Sequence, residues 1–166
     1  KIMVGEIRDA ETAQIAIQSA LTGHLVFTTV HANNVFDVLG RFTHMGVDPY
    51  SFVSALNAVL AQRLVRVNCP HCAAPDNPGD GLLADSGLTR AEVADWSFRA
   101  GRGCGQCRGT GYKGRKAIAE VLQLNDEIRE LIVARAPIRA IKDAAVSNGL
   151  QFLRESALGL VKRGDT

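Results

Sequence analysis

At 166 residues, 46% of them hydrophobic and 22% charged, the chain has the length and composition of one ordinary globular domain, or of a core with a small satellite. Its 19 basic residues against 17 acidic ones leave a net charge of +2, a balance that does not by itself point to nucleic acid. No apolar run approaches the roughly 20 residues that a helix needs to cross a bilayer.

The opening Lys1-Ile-Met-Val lies inside an apolar strand, with no initiator Met and no signal-peptide architecture, so the chain reads as a fragment of a longer protein. Asp9 is placed to cap a helix whose apolar face is Ala13, Ala16, Ile17, Ala20 and Leu21, ended by Gly23. Leu25 to Val30 reads as a second buried strand, β-branched and bounded by Gly and Asn. A helix follows Asn33-Asn34, with Val35, Val38, Leu39 and Phe42 on one face. Asp48-Pro49 then opens another, whose apolar residues Phe52, Ala55, Leu56, Val59 and Leu60 recur at helical spacing. Arg63 to Val67 is expected to return as a strand. Strands separated by helices imply a parallel α/β sheet.

Residues 69–112 differ in character. Pro70, Pro75, Pro78 and many glycines make a loop-rich insert with one short helix expected from Thr89 to Trp96. Such a segment buries too little apolar area to hold itself together and needs a staple. After Gly114, Ala117 to Leu122 reads as a strand, and three amphipathic helices follow: Asp126 to Arg135, Pro137 to Ser147, and about Leu153 to Lys162. These helices carry no evident chemistry and read as a packing unit or a surface for a partner.

The staple is the most specific feature of the chain. Cys69-Pro-His-Cys72 and Cys104-Gly-Gln-Cys107 are two CxxC pairs separated by 31 residues. Two facing knuckles supply four soft thiolates at tetrahedral corners, which suits structural zinc and leaves no open coordination position. Without a secretion signal, this pattern favours metal in a reducing compartment over disulfides. Two pairs within one insert also read better as ligands than as a redox couple.

Chemistry is therefore expected in the first 35 residues. Glu6 ends the first strand, at the edge where open α/β sheets bind ligands, and a carboxylate there can orient water against a phosphoryl group or act through Mg²⁺. The alternative is a surface Glu opening a loop. His24 and His31 flank the second strand, roughly 20 Å apart at about 3.3 Å per residue, too far to share one metal within a chain. His31, at the carboxyl end like Glu6, is the better candidate for the site.

Met3-Val-Gly-Glu-Ile-Arg-Asp9, followed by Glu11-Thr-Ala and by Thr22-Gly-His-Leu-Val-Phe-Thr-Thr-Val-His31, closely resembles the secretion ATPases, the hexameric motors of type II secretion and type IV pilus assembly. The resemblance continues through Leu60-Ala-Gln-Arg-Leu-Val-Arg66 into Cys69, and from Cys104 through Arg115, with Glu120 on the strand beyond. It implies that Gly5-Glu6 ends a Walker B motif in which Gly replaces the usual Asp, with Glu6 the catalytic carboxylate. It makes Thr22 to His31 a histidine box, His24 and His31 acting as phosphate-sensing or subunit-coupling groups. Arg63 is a weaker candidate for a nucleotide contact, equally well explained by a structural salt bridge. The implied fold is α/β: the C-terminal part of a RecA-like P-loop NTPase core (residues 1–68), a tetracysteine zinc insert (69–112), and a strand with a helical C-terminal tail (113–166). The resemblance also implies ATP and Mg²⁺ as cofactors of the intact protein, and a homo-hexamer at the cytoplasmic face of the inner membrane that works with platform proteins of the secretion or pilus system.

One departure is large. The family's GxxxxGK[ST] phosphate loop is absent, and neither Gly79–Gly81 nor Gly109–Gly114 has the required ending. The chain thus resembles the carboxyl-terminal part of a motor subunit, expected alone neither to bind ATP tightly nor to hydrolyse it. Gly109-Thr-Gly-Tyr-Lys-Gly114 matches a dinucleotide-binding GxGxxG, but a knuckle precedes it and a strand is expected to follow. A rival reading is a zinc-stapled nucleic-acid module, because Ser97 to Ala119 contains Arg99, Arg102, Arg108, Lys113, Arg115 and Lys116 and no acid. Such a stripe can equally offset a tetrathiolate zinc site of formal charge −2, and with little aromatic support no nucleic acid is expected.

Overall fold

A computed structural model describes residues 1–166. In chain order the elements are β1 (Ile2–Val4), α1 (Ala10–Leu21), β2 (Val26–Thr28), α2 (Val35–His44), α3 (Pro49–Ala55), β3 (Ala58–Asn68) and β4 (Ala73–Pro75). There follow α4 (Asp80–Asp85), β5 (Arg99–Gly101), a 3-10 turn (Gly105–Cys107), β6 (Tyr112–Gln123), α5 (Asp126–Val133), α6 (Ile138–Ser147) and α7 (Leu153–Lys162). The chain divides into two compact units, one made of Lys1–Ala61 with Glu120–Gln151, the other of Gln62–Ala119 with Phe152–Thr166.

The first unit is α/β. Its helices begin where their caps dictate. Asp9 accepts the Thr12 amide at 2.8 Å, Asn34 accepts the Phe36 and Asp37 amides at 2.9 Å each, and Asp48 accepts the Ser51 amide at 2.8 Å. The face predicted for α2 turns inward, with Val35, Val38, Leu39 and Phe42 buried; on α1 Ala13, Ala16 and Ile17 are buried, while Leu21, expected on the same face, is exposed at the helix end. Phe42 and Phe52 stack with ring centroids 4.6 Å apart. β1 and β2 pair in parallel, Ile2 with Val26, Met3 with Phe27 and Val4 with Thr28. Single hydrogen bonds, Ile2 to Leu25 at 2.9 Å and Ile7 to Thr29 at 3.0 Å, extend the pairing over most of the predicted second strand.

Three expectations about the strands and the third helix are corrected. The strands are not buried on both faces, since Met3 and Phe27, partners in register, are 68% and 53% exposed. A continuous apolar run is the pattern of a sheet covered on both sides, and here only one side is. The helix expected to run through Leu60 stops at Ala55, and Val59 and Leu60 instead open β3. Nor do β3 and β6 extend the parallel sheet, because they pair with each other as a separate two-stranded sheet. Ala, Val and Leu serve either period, and the arrival of a partner strand decided the matter.

In the second unit, β4 and β5 form an antiparallel pair, Ala73 opposite Gly101 and Pro75 opposite Arg99. The expected Thr89–Trp96 helix is a series of turns, closed at its start by Glu92, which accepts both the amide and the hydroxyl of Thr89 at 2.7 Å. Of residues 89–96 only Val93 is buried, so the segment lacks the inward stripe a helix needs. The helix of this region is α4 instead, anchored by Leu83 and by Arg90, which pairs with Asp80 at 2.5 Å. The terminal helix α7 belongs here. Lys162 reaches Asp95 at 2.6 Å, and the buried Asn68 ties its own strand to the end of the chain through the Gly164 carbonyl at 3.2 Å.

Candidate functional site

β1 and β2 end side by side, and so do the groups just beyond them. Glu6 Oε1 lies 2.8 Å from His31 Nε2, while Glu6 Oε2 pairs with the guanidinium of Arg8. The backbone beneath is tied across the strands, with the Thr29 hydroxyl donating to the Gly5 carbonyl at 2.7 Å. Arg41, on α2, donates to the His31 carbonyl. The Arg8 hydrogen bond holds the Glu6 carboxyl below the usual carboxylate range; burial opposes it, and the positive charges of Arg8, His31 and Arg41 add to the lowering. An ionised carboxylate with one oxygen on an imidazole and the other on a guanidinium is oriented as an acceptor, and the arrangement suits activation of water beside an anion.

Of the residues singled out in sequence, the structure brings Gly5, Glu6 and His31 together. His24 stands at the other end of β2, its Nδ1 3.2 Å from the Ser19 carbonyl and 3.3 Å from the Thr22 hydroxyl. It borders a cleft of about 360 Å³ lined by Ile17, Phe27, Phe52 and Leu56. Arg63 lies on β3 in the second unit, where its guanidinium donates to the Gln62 carbonyl at 2.9 Å. Three residues were given no role by the sequence reading. Arg8 follows Glu6 by two residues and Arg41 follows His31 by ten, the latter on the exposed side of an amphipathic helix. Glu120, only 3% exposed, accepts the Val35 amide at 3.0 Å. Its signal was present in the alternation of Ile118, Glu120 and Leu122, which sets a carboxylate on the buried face of a strand.

The second cluster is the tetracysteine. All four Sγ atoms lie within 4.8 Å of one another, with 3.9 Å between Cys69 and Cys104, 3.9 Å between Cys72 and Cys107, and 3.8 Å between Cys104 and Cys107. Tetrahedral Zn–S bonds of about 2.3 Å require sulfurs about 3.8 Å apart, whereas a disulfide requires about 2.05 Å. The donor set and its spacing therefore fit zinc. Backbone amides are aimed at one sulfur, Cys104 N–H at 3.1 Å and Gly111 N–H at 3.3 Å from Cys107 Sγ. The first of these contributes most to bringing the Cys107 thiol down to about 6, while burial pushes Cys72 up to about 12. A divalent cation at the centre would draw all four toward thiolate. Gly111 can approach because it has no side chain. Its φ is +77°, and a Cβ there would stand 2.5 Å from the Gly101 carbonyl oxygen.

The basic stripe is partly spent within the unit. Lys116 pairs with Asp165 at 3.0 Å, Lys113 donates to Gln106 at 3.1 Å, and Arg99 donates to the Ala73 carbonyl at 2.7 Å. No helix is long and apolar enough to cross a membrane.

Among proteins of known kind, the chain is 47% identical over 165 residues to the type IV pilus assembly ATPase PilB of Thermus thermophilus, covering 99% of this chain and 19% of that protein. It is 45% identical over 131 residues to the type II secretion system protein E of Pseudomonas aeruginosa, covering 79% of this chain and 26% of that protein. The fold matches the X-ray structure of the Legionella pneumophila ATPase DotB with a TM-score of 0.62 at 21% identity, over 99% of this chain and 36% of that one. The chain thus spans about a fifth to a quarter of the two curated relatives. The family model for type II/IV secretion system proteins matches residues 1–166, which disfavours the nucleic-acid module. With an acid and a histidine joined at the strand ends and a four-cysteine cluster downstream, matched from first residue to last, the chain belongs to the type II/IV secretion system protein family.

Proposed function

We propose that the protein to which this chain belongs is an ATPase that powers type II secretion or type IV pilus assembly, and that the chain is its portion beginning at the Walker B strand, the C-terminal part of a RecA-like core. The observation that carries this reading is the 2.8 Å contact between Glu6 and His31 at the carboxyl ends of neighbouring parallel strands. In this role Glu6 orients a water, and accepts its proton, for in-line attack on the γ-phosphoryl group of ATP. Its depressed pKa keeps it ionised at neutral pH. His31 steadies the carboxylate and meets the phosphoryl group. Gly5, without a side chain, leaves the nucleotide room beside the strand end. His24, at the far end of β2, serves coupling between subunits, and Arg63 a more peripheral nucleotide contact. Mg²⁺, when bound with ATP, neutralises phosphate charge.

Cys69, Cys72, Cys104 and Cys107 would hold one structural zinc, closed to substrate. The phosphate-gripping GxxxxGK[ST] loop, absent from these residues, is assigned to the remainder of the longer protein. The assembly envisaged is a homo-hexamer at the cytoplasmic face of the inner membrane, acting on platform proteins of the secretion or pilus system.

The deciding experiment is Glu6→Gln in the intact protein. Nucleotide binding should persist while turnover falls by about 100-fold or more, the scale of a lost general base. Turnover near the wild-type rate would overturn the reading. The chain by itself should give no tight saturable heat on titration with Mg-ATP.

A further inference from the structure

Glu120 is a buried carboxylate 85 residues from the group it serves. Its Oε1 accepts the amide of Val35, the first residue of α2, at 3.0 Å. That amide belongs to the first turn, whose N–H groups have no acceptor within the helix. The Asn34 cap satisfies the next two, at Phe36 and Asp37. Val35 is 0% exposed, so solvent does not reach the position, and the positive end of the helix favours an anion there.

The start of α2 lies four residues after His31, and the intervening loop is bound to the same helix. The Asn33 amide donates to Asp37 Oδ2 at 3.3 Å, and Arg41 donates to the His31 carbonyl. His31 is thus held to α2 through its own carbonyl and through Asn33 two residues on, while its ring meets Glu6. Whatever sets the beginning of α2 sets the imidazole against the carboxylate.

The geometry points to Glu120 as a positioning residue for the Glu6–His31 pair, acting through the Val35 amide and the first turn of α2. The inference rests on the catalytic reading of that pair. Glu120 acts through that amide and carries no chemistry itself.

The test is steady-state ATP hydrolysis by the intact protein with Glu120→Ala, His31→Ala, the double variant and Glu6→Gln, with thermal midpoints recorded for each. Glu120→Ala should lower kcat by about tenfold while KM for ATP changes less than about twofold, the signature of lost transition-state geometry. In the His31→Ala background the same change should cost less than about twofold, because the two act through one element. A folded Glu120→Ala protein with wild-type kcat, or losses that multiply in the double variant, overturns the inference. Should Glu120→Ala fail to fold, Val35→Pro is read by the same criteria. Proline suits the first helical position, and Asn34 at φ −150° and ψ 174° already has the extended backbone a following proline demands. If that variant also fails to fold, the role is structural and the inference falls. If Glu6→Gln turns over normally, the catalytic reading falls and takes this one with it. If Glu6→Gln is inactive but Glu120→Ala is not impaired, only the present inference fails.

Discussion

Glu6 is shared between a guanidinium two residues along its own strand end and an imidazole brought in by the next strand. Because the Arg8 hydrogen bond is the largest contribution to its depressed pKa, Arg8→Ala should raise that pKa toward the ordinary value of about 4.3. On the proposed mechanism ionised Glu6 is the active form, so the acid limb of the pH–kcat profile of the intact protein should move to higher pH in this variant. An unmoved acid limb would mean that Arg8 does not tune the carboxylate. The capping carboxylates give a separate pH effect on stability. Asp9 and Asp48 are both lowered, chiefly by the backbone amides of Thr12 and Ser51. A depressed folded-state pKa contributes stability above the unfolded value, and that contribution is lost as pH falls through the folded one. Replacing either by Asn, which keeps a cap without the charge, should flatten the acid-side loss of thermal stability below about pH 4. At Gly111 the constraint is steric. Gly111→Ala should destabilise the protein by about 2 kcal/mol, from a left-handed backbone and a clash with the Gly101 carbonyl, and should loosen metal retention.

Among the elements, helices were legible where capping chemistry and period agreed. α1, α2 and α5 start within a residue of their predicted positions because Asp9, Asn34 and Asn125 each present a side-chain acceptor to the first turn; α6 and α7, without a side-chain acceptor there, do so on their inward faces, Ile141 with Ala144 and Ala145 on one and Leu160 on the other. Asn34→Ala removes two such hydrogen bonds and should cost about 1 kcal/mol, read as a lowered denaturation midpoint. The boundary between α3 and β3 was not legible. Ala55 to Leu60 satisfies the helical period, yet Ala58 onward is strand. A strand segment draws its stability from a neighbour, and the neighbour of β3 is β6, more than 40 residues further on. The same distance hid the partner of Glu120, although its place on the inward face of β6 could be read from the alternation around it.

For the molecule as a whole, each unit is assembled from separate stretches of chain, and the three terminal helices are divided, α5 and α6 with the first unit and α7 with the second. The loop-rich segment of the second unit has little apolar core of its own, Leu83 and Val93 being its fully buried aliphatics, so the tetracysteine should govern its integrity. Elemental analysis should find one zinc per chain. Chelation, or Cys69→Ser, should expose residues 76–96 to proteolysis, and retained resistance without metal would show that the knuckle closes by packing alone. Sequence alone determined what lies close along the chain: the paired cysteines, the caps, the amphipathic faces, and the siting of Glu6 and His31 at the carboxyl ends of two strands. Each follows from residue type and spacing over a few positions. Only the tertiary structure decided that those two ends are adjacent, that β3 begins as early as Ala58, that β6 delivers Glu120 to the start of α2, and that α7 joins the unit carrying the four cysteines. These outcomes depend on backbone and carboxylate groups finding partners tens of residues away, and no local pattern carries the address of a distant hydrogen bond.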